Sequence, residues 1–359
     1  MKSTIHIGKD ISELNNFKLA NGNVFVIIDN NLQYLAEHFK QFTPIYLKAD
    51  EENKTLESVS SLATALLEAG ADRDAMIIGV GGGITTDITG FTASIYKRGV
   101  KFAFVPTTLL AQVDASIGGK NGTNLHSYKN ILGTISQPEW IFICPLLLKT
   151  LPEDEFKAGI AEVLKTFILF DKEMYATAAE YFSQVAQKYG CREDKGKTYG
   201  EIAVEHNIEL FTQIIGKCAQ YKSGVVERDE FEKGERRLLN LGHTFAHSIE
   251  KLTQGKVSHG YAVSIGMVIA ARIAQAMGAA QEGFPQKLAQ DLRSCGLPAT
   301  LRECTAAAHL KIGELAKAIK KDKKVHGNSI HFILPKGLEN VEDILVPITE
   351  INNIADDLR

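Results

Sequence analysis

The sequence predicts a Rossmann-like α/β domain with a parallel sheet at the amino-terminal end and a mainly α-helical domain after it. Three observations predict this. The 359 residues exceed what a single hydrophobic core usually organises. Up to Thr150, short β-rich runs alternate with segments of helical periodicity, the pattern of βαβ units. Beyond Pro152 that alternation gives way to long helical stretches.

The elements follow in chain order. Val24 to Ile28 reads as a strand, Leu32 to Phe39 as a helical segment and Ile45 to Leu47 as a second strand. Val59 to Leu67 is helical, Met76 to Val80 is a buried strand, and Phe102 to Val105 is a further strand. Leu151-Pro152-Glu153 marks the boundary, because proline is tolerated where a helix begins and pushes the residue before it towards extended geometry. The expected domains are therefore residues 1–151 and 152–359. In the second, Glu153 to Phe170, Tyr199 to Val226, Thr244 to Leu252 and Ala262 to Met277 read as helices, and Ser329 to Leu334 is the clear strand. Residues Tyr261 to Ala280 are apolar, but Arg272 and the internal glycines favour a buried helix over a membrane span.

Composition narrows the function. Hydrophobic residues at 45% and charged residues at 23% are those of a globular chain with a sizeable core. A formal net charge of −3 gives no electrostatic footprint for nucleic acid, which leaves small-molecule chemistry as the expectation. Cys144, Cys191, Cys218, Cys295 and Cys304 are odd in number, scattered and without a C-x-x-C pair, against both a disulfide framework and a cysteine zinc site. Together with a start, Met1 to Asp10, that lacks the pattern of a signal peptide, this points to the cytoplasm.

Several segments carry chemistry. Gly79-Val80-Gly81-Gly82-Gly83 follows a strand and precedes the amphipathic run Ile84 to Tyr96. There, backbone N–H groups at a helix start could approach a pyrophosphate, although the spacing is not G-x-G-x-x-G and a plain tight turn is an equal reading. Asp29 and Asn31 follow the first strand and Glu51 and Lys54 the second, where polar side chains could meet ribose hydroxyls or be ordinary loop polars. Val105 to Asn130 is too rich in Gly, Asn, Thr and Lys for a core element and reads as a long binding loop carrying Asp114, Lys120, Lys129 and Asn130. Glu162 and Lys165 are spaced i, i+3 on an otherwise apolar helix, as a structural salt bridge would be. His243 and His247 are spaced i, i+4 just after Asn240, and His259 follows in VSHGYAV. Two histidines and a glutamate make a zinc site with an open position, but lone buried histidines are as common. The segment is not H-E-x-x-H, which disfavours a zinc peptidase.

Taken together these residues resemble one family, the 3-dehydroquinate synthases and related sugar-phosphate cyclases. The matching segments include Gly81-Gly82-Gly83 with Asp87, Lys97-Arg98-Gly99, Pro106 to Asp114, Gly118-Gly119-Lys120 and Lys129-Asn130. They continue through Leu148 to Pro152, Ala161 to Lys165, Leu239 to Phe245, His259-Gly260 and Asp322-Lys323-Lys324, collinear from about Asp29 to Pro335. The resemblance implies a dehydroquinate synthase-like fold and a homodimer acting on a phosphorylated sugar acid. It implies zinc, with cobalt as an alternative, on Glu162, His243 and His259. It assigns NAD to Asp29, Asn31, Glu51, Lys54, Gly82, Gly83, Asp87, Thr107, Thr108, Leu110 and Thr150, with Asp114, Lys120 and Lys129 shared with the substrate. Substrate falls to Asp114, Lys120, Lys129, Asn130, Lys165, Lys222, Arg236, Asn240, His247 and Lys324, and Arg98 would reach the phosphate site of a neighbouring subunit. Thr86 stands where the family usually has glycine, Tyr261 where it has Glu, and Ser127-Tyr128 where Gly is frequent. Three other readings remain: another cyclase of the same superfamily, an oxidoreductase like the polyol or iron-dependent alcohol dehydrogenases, and a non-catalytic zinc- or nucleotide-binding protein descended from such an enzyme, to which Thr86 and Tyr261 point.

Overall fold

The computed structural model describes residues 3–16, 23–126, 128–191, 194–322 and 329–347. The chain forms two compact units, Met1–Leu151 with Asn207–Glu227, and Pro152–His206 with Arg228–Arg359.

The first unit is built from β1 (Thr4–Ile7), β2 (Val24–Asp29), β3 (Thr43–Leu47), α1 (Leu56–Glu68), β4 (Met76–Gly81), α2 (Gly83–Ile95) and β5 (Lys101–Pro106). It continues with β6 (Lys120–Leu125), β7 (Tyr128–Ile135) and β8 (Trp140–Ile143). Six strands form a parallel sheet in the order β1-β8-β5-β4-β2-β3. Every residue of β4 is buried, as expected where both faces of a parallel sheet are covered. One side of the core gathers Val26, Ile28, Leu35, Phe39, Ile78, Val80, Ala103, Val105 and Phe142. The order reverses beside β2: the chain steps from β2 outward to β3 and returns to β4 on the other side of β2. A ligand crevice in such a sheet lies outside the carboxyl ends of the strands at that reversal. Those ends are Asp29 and Gly81.

The expected loop from Val105 to Asn130 is corrected. Ala111–Ala115 forms a π-helical turn, and β6 pairs antiparallel with β7 in a hairpin. The polar residues do not prevent this, because the two turned inward on β6 find partners within the fold. The buried Asn121 amide donates to the carbonyls of Gly119 at 2.9 Å and Ser136 at 2.8 Å, and Thr123 donates to the Lys54 carbonyl at 2.6 Å. The sequence reading also passed over β1 and β8, too short to show a period.

The second unit contains α3 (Glu153–Phe170), α4 (Lys172–Tyr189), the start of α5 (Tyr199–Arg228), α6 (His243–Leu252), α7 (His259–Ala276), α8 (Phe284–Ser294) and α9 (Ile312–Asp322). An antiparallel hairpin, β9 (Ser329–Gly337) with β10 (Asn340–Pro347), completes it. From Phe156 to Leu169, α3 is buried at all but one position, and α7 is buried without a break from Ala262 to Ala271. Phe245 of α6 stacks on Phe332 of β9, ring centres 5.5 Å apart. The segment Tyr261 to Ala280 is thus a core helix and its end, and among the described residues no helix is long and apolar enough to cross a membrane. α5 is broken at Asn207 (φ −166°, ψ 91°), whose side-chain oxygen accepts from the Leu210 N–H at 3.0 Å and so caps a new helical start. From there to Glu227 the chain belongs with the first unit, which a single boundary at Pro152 does not capture.

Candidate active site

In the second unit, three helices converge on one carboxylate. Glu162 lies in the apolar middle of α3 and is fully buried, and His243 and His259 are the first residues of α6 and α7. A Cβ on Gly260 would overlap the backbone of Ala158, so glycine is what lets the start of α7 press against α3 and bring His259 to Glu162. One ligand atom from each of the three residues lies within 4.8 Å of the others. Both imidazole Nε2 atoms face Glu162 Oε1, at 3.7 Å from His243 and 3.5 Å from His259. Oε1 has no hydrogen-bond partner although it is buried.

Those separations suit a metal ion. Ligand bonds of about 2.0–2.2 Å in a tetrahedral zinc site set ligand atoms roughly 3.3–3.6 Å apart. The electrostatics of Glu162 and His243 agree. Burial opposes charge on Glu162, but the buried Lys165 ammonium beside it, with the two imidazoles, holds its carboxyl well below the usual range. Burial and the repulsion of Lys165 push His243 down to about 3, so it is a neutral ligand. Its Nδ1–H donates to the Leu241 carbonyl at 3.2 Å, which leaves Nε2 a lone pair towards Glu162. Burial works against charge on His259, but Glu162 and Glu250 outweigh it and raise its pKa to about 10. The i, i+3 pair of Glu162 and Lys165 is thus a salt bridge and part of this centre at once.

Around the centre, the exposed His247 ring lies 5.6 Å from that of His243. Arg236 and Asn240 sit on the 3₁₀ turn Glu235–Asn240 that feeds α6. The buried Arg236 guanidinium donates to the Glu230 carbonyl at 2.5 Å, and Asn240 donates to Glu232 at 2.6 Å. Asp229 accepts the backbone N–H groups of Lys233, Gly234 and Arg236, which fixes the loop. Tyr261 donates to Asp154 at 2.9 Å.

In the first unit, the polar residues gather at the carboxyl ends of the strands. Gly82 caps α2 without a side-chain bond, and a Cβ there would come to 2.9 Å from the Thr108 methyl, so the turn leaves backbone N–H groups uncovered by side chain. The Thr107 N–H donates to the Gly81 carbonyl at 2.9 Å, and Leu110 precedes the π-helical turn that carries Asp114. Thr86 keeps its hydroxyl on the Gly83 carbonyl at 3.0 Å, inside the helix. Asp29 accepts from the Asn31 N–H at 3.0 Å, and burial raises its pKa. Lys54 is buried and bridges Asp87 at 2.5 Å and Asn130 at 2.6 Å. Glu51 takes a bond from Asn124 at 2.9 Å and lies 3.6 Å from Lys129. Lys222, on α5, pairs with Asp114 at 2.7 Å. Thr150 meets the Tyr34 hydroxyl at 2.9 Å. Lys120 is exposed at the start of β6, and Arg98 is exposed on a left-handed run, φ 47° at Lys97, 71° at Arg98 and 109° at Gly99. Ser127, Lys323 and Lys324 lie outside the described residues.

Sequence reasoning missed Glu250, whose signal was its position seven residues after His243 on the same face of α6. It also missed Tyr34 and Asn124, which carried no signal beyond being polar.

Two family models match the chain in succession, 3-dehydroquinate synthase N-terminal over residues 44–158 and 3-dehydroquinate synthase C-terminal over residues 159–325. A 3-dehydroquinate synthase of Alkaliphilus metalliredigens is 36% identical over 356 residues, covering 97% of this chain and 93% of the relative. The chain belongs to the 3-dehydroquinate synthase family. A second synthase of this name, from Saccharolobus solfataricus, is 37% identical over 94% of this chain and 91% of the relative. Among solved structures, 2-epi-5-epi-valiolone synthase of Streptomyces hygroscopicus subsp. jinggangensis, with NAD+ and Zn2+ bound, superposes with a TM-score of 0.84 at 24% identity, covering 100% of this chain and 97% of the other. At that identity the likeness is one of fold. Membership of the synthase family sets aside the dehydrogenase reading of the sequence.

Proposed function

We propose that the chain converts 3-deoxy-D-arabino-heptulosonate 7-phosphate to 3-dehydroquinate and phosphate, with NAD and a divalent cation as resident cofactors. The observation that carries the reading is the convergence of Glu162, His243 and His259 in a chain that aligns almost end to end with synthases of that name. When bound, the cation would supply a Lewis acid for the substrate hydroxyls, and the dinucleotide a hydride acceptor restored within each turnover.

The rest is the work of this chain's side chains. Glu162 and the two imidazoles would hold the cation, zinc by preference for two nitrogens and a carboxylate, with cobalt an alternative. Lys165 offsets the buried charge of Glu162 and keeps it an anionic ligand. The turn at Gly82 and Gly83 would take the pyrophosphate, with Asp87, Thr107, Thr108 and Leu110 lining it. Asp29, Asn31, Glu51, Lys54 and Thr150 would serve the rest of the dinucleotide. From the sequence pattern we assign the substrate's carboxylate, hydroxyls and phosphate to Asp114, Lys120, Lys129, Asn130, Lys165, Lys222, Arg236, Asn240, His247 and Lys324. Lys222 is held by Asp114 and Arg236 by the Glu230 carbonyl, so both cations are pre-oriented and lose little freedom on binding an anion. The departing phosphate can accept the proton from the neighbouring carbon, and the exposed His247 would pass protons to water.

The same reading makes the protein a cytoplasmic homodimer in which Arg98 serves the partner's phosphate site. Support comes from five free cysteines and from the exposed, left-handed presentation of Arg98. Phosphate release from the heptulosonate phosphate, with stripped protein supplied or not with NAD and zinc, tests the activity. Release that needs both is expected, and no release with both present overturns the reading.

A further inference from the structure

Glu250 is a buried carboxylate in a place that disfavours one. It is 7% exposed and lies in the last turn of α6, where the helix dipole presents its negative end. Burying a carboxylate costs several kcal/mol or shifts its protonation unless a partner compensates. A partner is at hand. His259 Nδ1 lies 3.6 Å from Glu250 Oε2, while the opposite nitrogen of the same ring, Nε2, faces Glu162 Oε1 at 3.5 Å. The imidazole is thus lined up between an outer carboxylate and the carboxylate of the metal centre.

We propose that Glu250 is a positioning residue for the metal centre: it holds His259 with Nδ1 protonated, so that Nε2 presents its lone pair to the cation. This rests on reading Glu162, His243 and His259 as a metal site. A metal-ligating histidine generally gives its other N–H to a carboxylate or a carbonyl, which fixes ring orientation and strengthens the ligand. His243 has the Leu241 carbonyl for this at 3.2 Å. His259 opens α7 and has Glu250. The two histidines are therefore held differently, one by a neutral acceptor and one by an anion, which makes His259 the stronger donor of the pair. Tyr261, two residues beyond His259, turns its hydroxyl to Asp154 and leaves this task to α6. On α6 itself, His243, His247 and Glu250 follow at i, i+4 and i+7, so one helical face supplies a ligand, the exposed imidazole and the outer carboxylate.

The test measures binding rather than turnover. Full-length protein is stripped with chelator, and zinc affinity is read by competition with an indicator, cobalt binding by its visible absorbance. Glu250→Ala should weaken zinc about 10- to 100-fold, the usual loss for an outer partner of a ligand. Glu250→Gln should lose less, because its amide oxygen keeps a partial negative charge facing Nδ1, and it stands in if the alanine variant does not fold. The unfolding temperatures of the metal-free forms are read alongside, and a loss of zinc affinity larger than any fall in metal-free stability separates positioning from general support of the fold. Unchanged zinc affinity in Glu250→Gln and Glu250→Ala overturns this inference and leaves the metal centre intact. A parent protein that binds neither zinc nor cobalt overturns both.

Discussion

Lys54 is the residue whose loss should reveal most about how the first unit is held. Its ammonium is 7% exposed and bridges Asp87, 17% exposed, at 2.5 Å and Asn130 at 2.6 Å. An exposed ion pair contributes about 0–1 kcal/mol, whereas removing one partner of a buried pair costs about 3–5 kcal/mol because the other charge is left alone. With both groups mostly but not wholly buried, Lys54→Met should cost about 3 kcal/mol. Asp87 also sets the sign of the pH dependence. Burial already raises its pKa despite Lys54, and without Lys54 it rises further. The variant's deficit should therefore be largest near neutral pH, where Asp87 must carry its charge. It should shrink as the pH falls through the raised pKa and the carboxyl takes up a proton. The single tryptophan, Trp140, lies in the sheet of the same unit and is 9% exposed, so its fluorescence in urea reports the unfolding of that unit directly. Lys54→Met with Asp87→Asn should recover part of the loss, giving a coupling on the order of 1–3 kcal/mol. A variant as stable as the parent at pH 7, or two losses that simply add, refutes the reasoning.

Further outcomes follow from the second unit and from the proposed dimer. Glu162→Ala and His243→Ala should each lose bound metal and activity together, read by metal analysis of the purified protein, with a smaller change in unfolding temperature. Gly260→Ala places a methyl in the Ala158 backbone, so it should destabilise by about 1–3 kcal/mol and weaken zinc binding by displacing His259. Mixing inactive Arg98→Ala and Lys120→Ala proteins should restore part of the activity as hybrids form, and no recovery after demonstrated subunit exchange speaks against a shared site.

Much of the first unit was legible because its central strands are continuous apolar runs closed by turns: β2, β4 and β5 need only length and flanking residues to be read. The β6–β7 hairpin was not. Its inward positions include Asn121 and Thr123, whose burial is tolerated because Gly119 nearby, and Ser136 and Lys54 farther off in the sequence, supply partners. The break in α5 was equally hidden, since Asn207 can cap a helix or sit within one and only packing decides. At the site, residue type and spacing singled out His243, His247 and His259, but spacing alone left Glu162 with Lys165 as an ordinary ion pair. Only the approach of α6 and α7 to α3 shows a carboxylate oxygen aimed at two imidazoles. Glu250 needed that approach as well, because its place on the face of His243 gains meaning only once α7 brings His259 to it.

The central claim is that oxidation and re-reduction occur within one turnover, so that NAD acts catalytically. Following phosphate release and the absorbance of reduced nicotinamide in one cuvette, with the heptulosonate phosphate in large excess over NAD, tests this most directly. Phosphate should rise far beyond the amount of cofactor supplied while NADH stays near zero. NADH that rises mole for mole with product contradicts the account.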